Sequence, residues 1–216
     1  MCKELENIVR RLASSSPRNQ SFWDAFKKLQ GLGLEEFMTL SAAAPRRVGR
    51  KKLSLKDNEA TYLKQIHPSL TEQTVGNLAR VLLAATKEDS ECIKEMIIRG
   101  GDDEQAAAII AVNLRSDKEL YKDVIVHACR TNSTIVHSAA SQDNPYPAEF
   151  FDDLEFKQLT IKAIFMGLDF DRISGLEKRF NGELGKSLTD FFDERKAAGR
   201  WLPDSVLDFM KNKGLF

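Results

Sequence analysis

The sequence predicts an all-α protein built from antiparallel helical hairpins, stacked either as a compact helical bundle or as a short HEAT-like α-solenoid. Apolar residues recur at helical spacing in almost every segment, and no segment alternates as a half-buried strand does. The predicted helices also leave only short connections between them. Because no fixed sequence period is visible, the solenoid alternative depends on the rhythm of hairpins alone.

The first two thirds of the chain are predicted to form a series of amphipathic helices. The third apolar stripe is predicted to end at Pro45, and Ser69 to Glu72 to form the capping box of the helix that carries Leu78. Ser116 to Glu119 is predicted to cap a later helix. The stripes in chain order are Leu5-Ile8-Val9-Leu12, Phe22-Trp23-Phe26-Leu29, Leu34-Phe37-Met38-Ser41, Tyr62-Leu63-Ile66, Val75-Leu78-Ala79-Leu82-Leu83, Cys92-Ile93-Met96-Ile97, Ala107-Ile110-Ala111-Leu114 and Leu120-Val124-His127-Ala128.

The last third has the strongest local signals. Asp152 and Glu155 are spaced as a capping box, with Phe151 and Phe156 at the two positions of a hydrophobic staple. The helix that follows, residues 159–168, is apolar on most sides and is predicted to be the most buried one. A late helix around residues 184–192 is predicted to end at Gly199, and Pro203 to open a last short helix.

Two prolines flank a tyrosine at Asn144-Pro145-Tyr146-Pro147. Because a residue before proline is pushed out of the α region, this segment is predicted to be a stiff, polyproline-like elbow between two helices. Asn144 is predicted to hydrogen-bond neighbouring backbone. Tyr146 is predicted to lie across the helices with its hydroxyl directed to the Arg130-Thr131-Asn132 corner; the alternative is that it faces solvent as a binding residue.

Composition predicts one soluble all-helical domain over residues 1–216, with N-terminal helices and a basic loop in residues 1–50. Lys and Arg together number 32, as do Asp and Glu, so the neutral chain gives no general attraction to nucleic acid. The N-terminus lacks the apolar segment of a signal peptide, and no apolar run approaches the length of a bilayer span. Cys2, Cys92 and Cys129 have no framework spacing, which favours reduced thiols in the cytoplasm.

No complete catalytic or metal-binding motif is present, so we predict no catalytic residue, metal or cofactor. His137 lies among apolar residues on a predicted helix, which favours a partly buried, hydrogen-bonded histidine over a catalytic one. The pair Asp152-Asp153 already has a capping explanation, and the pair Asp169 and Asp171 follows an expected turn at Gly167.

A basic run, Arg46 to Lys52, contains five basic residues and no acid. It is a candidate site for a phosphate, an anionic metabolite or a lipid headgroup, through Arg46, Arg47, Lys51 and Lys52. The alternative, which we favour, is a solvated loop.

The polar residues of the C-terminal half are the second set of candidates. Arginine and asparagine at helix ends either tie loops together or line a pocket. The candidate ligand-binding residues are Arg130, Asn132, His137, Asn144, Tyr146, Arg179, Asn181 and Arg200.

Five segments in one order resemble the EboA-domain family: CRTN, NPYP followed by an acid and two phenylalanines, LEFKQLTIKAIFMG, RISGLEKRFNGEL and DERKAAGR. The resemblance is strongest over residues 129–200 and departs at His137-Ser138 and at Lys157. It carries over Arg130, Thr131, Asn132, Asp143, Asn144, Pro145, Tyr146, Pro147, Phe151, Gln158, Lys162, Phe165, Gly167, Arg172, Gly175, Leu176, Arg179, Asn181, Glu183, Arg195 and Arg200.

The resemblance implies a role in bacterial secondary-metabolite traffic, beside operon-encoded partners that include a membrane protein. Our first hypothesis is a non-enzymatic cytoplasmic component that binds a metabolite precursor or a membrane-bound partner. The alternative is an enzyme that modifies a precursor in a pocket around Arg130, His137 and Tyr146. A third hypothesis is peripheral attachment to the inner membrane through the basic run.

Overall fold

The computed structural model describes residues 2–13 and 17–215, and it confirms the all-α prediction, since this part of the chain contains helices and no strand. The α-helices are α1 Cys2–Leu12, α2 Pro17–Lys27, α3 Leu34–Val48, α4 Asp57–Ile66, α5 Val75–Thr86, α6 Ser90–Arg99, α7 Asp102–Val112, α8 Lys122–Ala128, α9 Thr134–Ser141, α10 Tyr146–Phe150, α11 Asp153–Phe165, α12 Leu176–Arg179, α13 Gly182–Ala197 and α14 Asp204–Asn212. The same residues form 3₁₀ turns at Leu29–Gly31, Pro68–Glu72, Lys118–Tyr121 and Phe170–Arg172.

The helices fall into two compact units, one comprising the described residues up to Ala139 and the other starting at Ala140. In the N-terminal unit α5 packs against α1, α3 and α7, and α6 packs against α7 and α8. In the C-terminal unit α11 packs against α13, and the 3₁₀ turn at Phe170–Arg172 contacts α11 and α14. Helix packing therefore supplies the core of each unit.

Helix α5 is the most thoroughly buried of the longer helices. Nine of its twelve residues are buried, against five of thirteen in α11, where Leu154 and Phe165 face solvent. The prediction that the helix after Phe156 is the most buried one is therefore wrong. Thr74 caps α5 by accepting a hydrogen bond from the Asn77 N–H, so the capping box predicted at 69–72 is wrong too.

Helix α3 continues through Pro45 to Val48, which corrects the prediction that it ends at Pro45 with a basic loop after it. A proline inside a helix leaves the carbonyl four residues earlier without its usual N–H donor. Here that carbonyl belongs to Ser41, and the Arg80 side chain donates to it from α5 at 3.2 Å. The tertiary hydrogen bond thus replaces the missing helical one.

Gly76 of α5 lies directly against Pro45. A Cβ atom added to Gly76 would lie 2.5 Å from the Pro45 Cα. We expect Gly76→Ala to lower the free energy of unfolding by about 1–2 kcal/mol, because this backbone clash outweighs the gain in helix propensity. Urea denaturation measures the change. The matched variant Gly182→Ala, where an added Cβ meets nothing within 4 Å, should be neutral or slightly stabilising; equal effects of the two variants would contradict the packing argument.

The segment predicted to cap a helix at Ser116 to Glu119 has another structure. A 3₁₀ turn occupies Lys118–Tyr121 and α8 begins only at Lys122. The Asp117 carboxylate accepts hydrogen bonds from Arg115 and from the Tyr121 hydroxyl. The Arg115 guanidinium holds the pKa of Asp117 below its ordinary value. The capping prediction is wrong, because Asp117 and not Ser116 takes the N-cap position of the turn and its side chain makes no cap hydrogen bond.

Several predictions for the C-terminal helices are confirmed. Asp152 and Glu155 form the capping box of α11, and Phe151 and Phe156 on either side of it are buried. Helix α13 ends two residues before Gly199, which adopts a positive φ of 64°. Pro203 is the N-cap residue of α14.

Candidate functional site

The segment between α9 and α11, residues 142–151, is called the elbow below. The Asn144 side chain is buried and accepts a hydrogen bond from the Tyr146 N–H at 3.0 Å, as predicted. The polyproline geometry is wrong, because Pro145 has helical angles of φ −71° and ψ −18° and Tyr146 begins α10. The side chain of Asn144 thus starts a helical turn that the local preference of residues before proline disfavours.

Tyr146 is a packed residue, which excludes the solvent-facing alternative, while the predicted direction of its hydroxyl stays a prediction. Only 1% of its surface is exposed. Its ring stacks on Phe150 with 4.5 Å between centroids and meets Phe151 edge-on at 6.3 Å. The double phenylalanine at the end of the elbow therefore anchors the tyrosine.

Asn144→Ala is expected to lower the free energy of unfolding by about 1–2 kcal/mol, the scale of a lost helix cap, because the Tyr146 N–H loses its acceptor. Thermal or urea unfolding measures this. Asn132→Ala is the matched control, since Asn132 is exposed, and it should change stability by less than about 0.5 kcal/mol. A wild-type unfolding curve for Asn144→Ala would contradict the assigned role of this hydrogen bond.

The elbow is joined to residues 172–176, called the RISGL segment below. The Asp143 N–H donates to the Arg172 carbonyl at 2.6 Å, and the Arg172 Nε donates to the Asp143 carboxylate at 2.8 Å. Gln142 and Ile173 form an isolated antiparallel bridge beside this pair. Asp143 has a positive φ of 53°, a conformation that aspartate tolerates better than most residues. Residues 29 apart in sequence are thus connected through both side chain and backbone.

Arg179 makes the second connection to the elbow. Its Nη1 donates to the Ala148 carbonyl at 2.9 Å, and its Nη2 donates to the Phe151 carbonyl and the Asp153 carboxylate, each at 2.9 Å. The guanidinium carbon lies 4.9 Å from the centre of the Phe156 ring. One arginine therefore holds the carbonyl end of α10 and the start of α11 together.

Gly175 allows the two segments to approach closely. Its φ is +76°, and an added Cβ would lie 2.4 Å from the Ala148 Cβ. Any side chain at this position would therefore be strained by its backbone conformation and would also collide with α10.

A concave groove of about 720 Å³ lies between the elbow and the RISGL segment, within the range of small-molecule sites. Its base contains Phe170 and Phe209, which meet edge-on with 5.2 Å between ring centroids. Charged residues of both signs lie beside this apolar base. We call it the C-terminal groove; it is lined by Pro145, Ala148, Glu149, Phe170, Asp171, Ile173, Ser174, Gly175, Leu176, Glu177, Lys178, Arg179 and Phe209.

The predicted ligand-binding residues of the C-terminal unit do not gather in one site. Arg179 lines the C-terminal groove, although its guanidinium is engaged by the elbow. Asn181 accepts a hydrogen bond from the Leu184 N–H and so caps α13. Arg200 is exposed after that helix. Asn144 and Tyr146 are buried in the elbow. A ligand-binding role for these five residues stays a prediction.

The remaining candidates lie in the N-terminal unit. Arg130 and Asn132 are exposed in the turn between α8 and α9. His137 is fully buried, which exceeds the partial burial predicted, and its Nδ1 is 3.1 Å from the Cys129 carbonyl oxygen, which confirms the hydrogen-bonded histidine. Neither Arg130 nor His137, nor Tyr146 in the other unit, lines the C-terminal groove. The alternative enzymatic centre around these three residues stays a prediction.

The basic run is divided between a helix and the chain that follows it. Arg46 and Arg47 lie in the last turn of α3, where positive charge is favourable next to the helix C-terminus. Lys51 and Lys52 follow the helix and are exposed. Anion binding by these four residues stays a prediction.

Sequence reasoning missed part of the C-terminal groove. Phe170 and Phe209 were not singled out, because isolated apolar residues on helices give no signal of lining a groove. Glu177 and Lys178 were not singled out either, because a charged residue on a helix gives no signal of lining a groove. The resemblance did include Arg172, Gly175 and Arg179, but it gave no indication of what they contact.

A family model described as "Metabolite traffic protein EboA" matches residues 11–211 of the 216-residue chain. The chain belongs to the EboA family. The match extends well beyond the strongest resemblance at residues 129–200 and reaches through both compact units. No curated protein and no solved structure matches the chain.

Membership of the EboA family connects the chain with metabolite traffic, as the family's description states. Within the described residues of this EboA-family chain, no helix combines the length and the apolar character needed to cross a membrane.

Proposed function

We propose that this EboA-family protein is a non-enzymatic binding component of a bacterial secondary-metabolite export system, and that it holds a metabolite precursor in the C-terminal groove. The observation that carries the proposal is the position of this groove between the elbow and the RISGL segment, two of the segments in which the family resemblance is strongest. The family description supports the metabolite part of the proposal.

The lining of the groove suits a small molecule that has both apolar and polar parts. Phe170, Phe209 and Leu176 offer apolar surface to a carbon skeleton. Glu149, Asp171 and Lys178 offer hydrogen-bonding groups of both signs around it. Apolar walls with a few polar groups are the usual composition of ligand sites.

The connections behind the groove support binding with little rearrangement. Arg172 pairs with Asp143, and Arg179 holds the carbonyls of Ala148 and Phe151. A site whose walls are already fixed loses less conformational entropy when a ligand binds. These contacts favour a preformed groove over one that assembles on binding.

Ser174→Trp tests the proposal by filling the groove from one of its lining positions. The purified protein is incubated with the small-molecule extract of its native bacterium, and the bound compounds are identified by mass spectrometry. We expect the parent protein to retain a defined compound and Ser174→Trp to retain about tenfold less, equivalent to about 1.4 kcal/mol of binding free energy.

Ser116→Trp is the matched control, because Ser116 is exposed in the N-terminal unit and should leave capture unchanged. Equal capture by all three proteins, or capture by none, would contradict binding in the groove. A retained compound whose mass changes with time would instead favour the enzymatic alternative. In cells, Ser174→Trp should raise the ratio of intracellular to secreted metabolite, whereas Ser116→Trp should not.

Operon-encoded proteins are the proposed macromolecular partners, with a membrane-bound one receiving the metabolite. Purification from the native bacterium with mass spectrometry of co-purifying proteins tests this part. Partner capture without any small molecule would favour a purely scaffolding role.

A further inference from the structure

A second cavity lies wholly within the N-terminal unit and has no part in the function proposed above. It has a volume of about 310 Å³, is partly open to solvent, and is lined by residues of α5, α7, α9, the 3₁₀ turn at Pro68–Glu72 and Gln73, which follows that turn. Alanine residues on two of these helices, Ala106, Ala107 and Ala139, contribute to the walls. Their small side chains leave a space that larger residues would fill. The size is at the lower end of the range for small-molecule sites.

The cavity has an apolar part and a polar end. Val81 of α5 and Ile110 of α7 lie along its apolar wall. Gln73 and Asn77 lie at the beginning of α5, and Asp103 lies in the first turn of α7. These three side chains form a polar end near the N-termini of the two helices, and Ser69 and Ser138 are the other polar residues of the lining. A ligand that matches this arrangement has a hydrophobic body and one polar group.

The hydrogen bonds at the polar end leave the amide nitrogen of Gln73 as a donor and the carboxylate of Asp103 as an acceptor for a ligand. Asn77 accepts from Arg80 Nη1 at 2.7 Å and donates to the Gln73 Oε1 at 3.0 Å. Within the described part of the chain the Gln73 Nε2 donates to no other group. Asp103 is 53% exposed at its side chain and can accept a hydrogen bond. A hydroxyl group satisfies both, because it accepts from the amide and donates to the carboxylate.

Charge at this end favours a neutral ligand. Asp103 is the charged residue of the cavity lining, and Arg80 Nη1 lies 3.6 Å from its carboxylate. Arg80 is itself 8% exposed, so its positive charge is kept close to this acid. An added cation would meet an acid that is already paired with Arg80, and an added anion next to Gln73 would lie beside a carboxylate of the same charge.

We propose that this cavity is a binding site for a small hydrophobic alcohol, with the hydroxyl between Gln73 and Asp103 and the hydrocarbon part between Val81 and Ile110. The site is independent of the C-terminal groove and lies in the other compact unit.

Three probes of similar shape test the choice of polar group. They are the neutral alcohol 2-(2-naphthyl)ethanol, the cationic amine 2-(2-naphthyl)ethylamine and the anion of 2-naphthylacetic acid, called the acetate below. Calorimetric titration of the full chain should show saturable binding of the alcohol. We expect it to bind about tenfold more tightly than either charged probe, the discrimination that one satisfied hydrogen-bonding group gives. Asp103→Asn removes the repulsion of the acetate, so the preference for alcohol over acetate should fall to about twofold or less.

Ala106→Leu fills the cavity and should lower the affinity for the alcohol by about tenfold or more. Ala42→Leu is the same change at an exposed helical position and should leave this affinity unchanged. Ser174→Trp in the C-terminal groove should leave the affinity for the alcohol unchanged. The cavity proposal and the groove proposal can therefore each fail without the other. Equal affinity for alcohol and acetate would overturn the proposal, as would unchanged binding by a folded Ala106→Leu. If Ala106→Leu does not fold, the acetate result with Asp103→Asn decides the matter.

Discussion

Lys87→Met is expected to lower the free energy of unfolding by about 2–4 kcal/mol, because it leaves several backbone carbonyls without a donor in a buried place. Lys87 follows α5 and is 1% exposed. Its ammonium group donates to the carbonyls of Leu29, Gln30 and Leu32 at 3.0, 3.3 and 2.7 Å. All three of its N–H donors are thereby used, and the chain between α2 and α3 is fastened to the end of α5.

Methionine keeps the length and much of the apolar contact of the lysine side chain, so the variant isolates the ammonium group. Lys64→Met is the matched control, since Lys64 is exposed on α4 and its replacement should change stability by less than about 0.5 kcal/mol. Urea denaturation followed by circular dichroism measures both. Equal stability of the two variants would show that water satisfies the three carbonyls and that the lysine adds nothing.

The positions of most helices could be predicted from sequence because their signals are local. The stripe from Val75 to Leu83 marks α5, and the acid pair Asp152 and Glu155 marks the start of α11. Lys87 has no such signal. It looks like any surface lysine in the sequence, and its burial depends on carbonyls more than fifty residues earlier in the chain.

The wrongly predicted helix boundaries, like the burial of Lys87, depend on contacts that the apolar pattern does not show. Pro45 was predicted to end α3, but Arg80 supplies the donor that the proline lacks. Ser69 and Thr74 are both acceptable caps, and the choice between them was decided by the 3₁₀ turn that opens at Pro68. Tyr146 was predicted to be extended, but the side chain of Asn144 and the packing of two phenylalanines stabilise the helical turn. A tertiary contact overrode the local preference at Pro45, and neighbouring turns or side chains overrode it at the other two positions.

The sequence could predict which residues belong to the candidate site but not which of them contact one another. The resemblance selected Asp143, Arg172, Gly175 and Arg179, yet their contacts join positions about thirty residues apart. No spacing rule relates such positions, because a helix or turn relates only residues a few places apart. Phe209 lines the groove from α14, which contains none of the five segments that carry the resemblance.

Arg179→Met is expected to lower the free energy of unfolding by about 2–4 kcal/mol and to loosen the elbow, because it removes the strongest connection between the elbow and α12. The guanidinium joins the Ala148 and Phe151 carbonyls to the Asp153 carboxylate. Arg179→Lys should recover only part of the loss, because a single ammonium cannot reproduce the planar fork that reaches carbonyls on both sides of Phe151.

Urea denaturation gives the global effect, and hydrogen exchange locates it. The amide of Asp143, which donates to the Arg172 carbonyl, and that of Tyr146, which donates to Asn144, should exchange faster in Arg179→Met. Arg200→Met is the matched control, since Arg200 is exposed after α13, and both amides should keep their protection in it. Arg179 is also a predicted ligand-binding residue, and the two roles give different results. A structural role predicts lost stability and lost protection before any ligand is added; a binding role alone predicts a parent-like unfolding curve with diminished capture of the metabolite. The second result would show that the four contacts of this arginine are dispensable for the fold and that its guanidinium turns to the ligand.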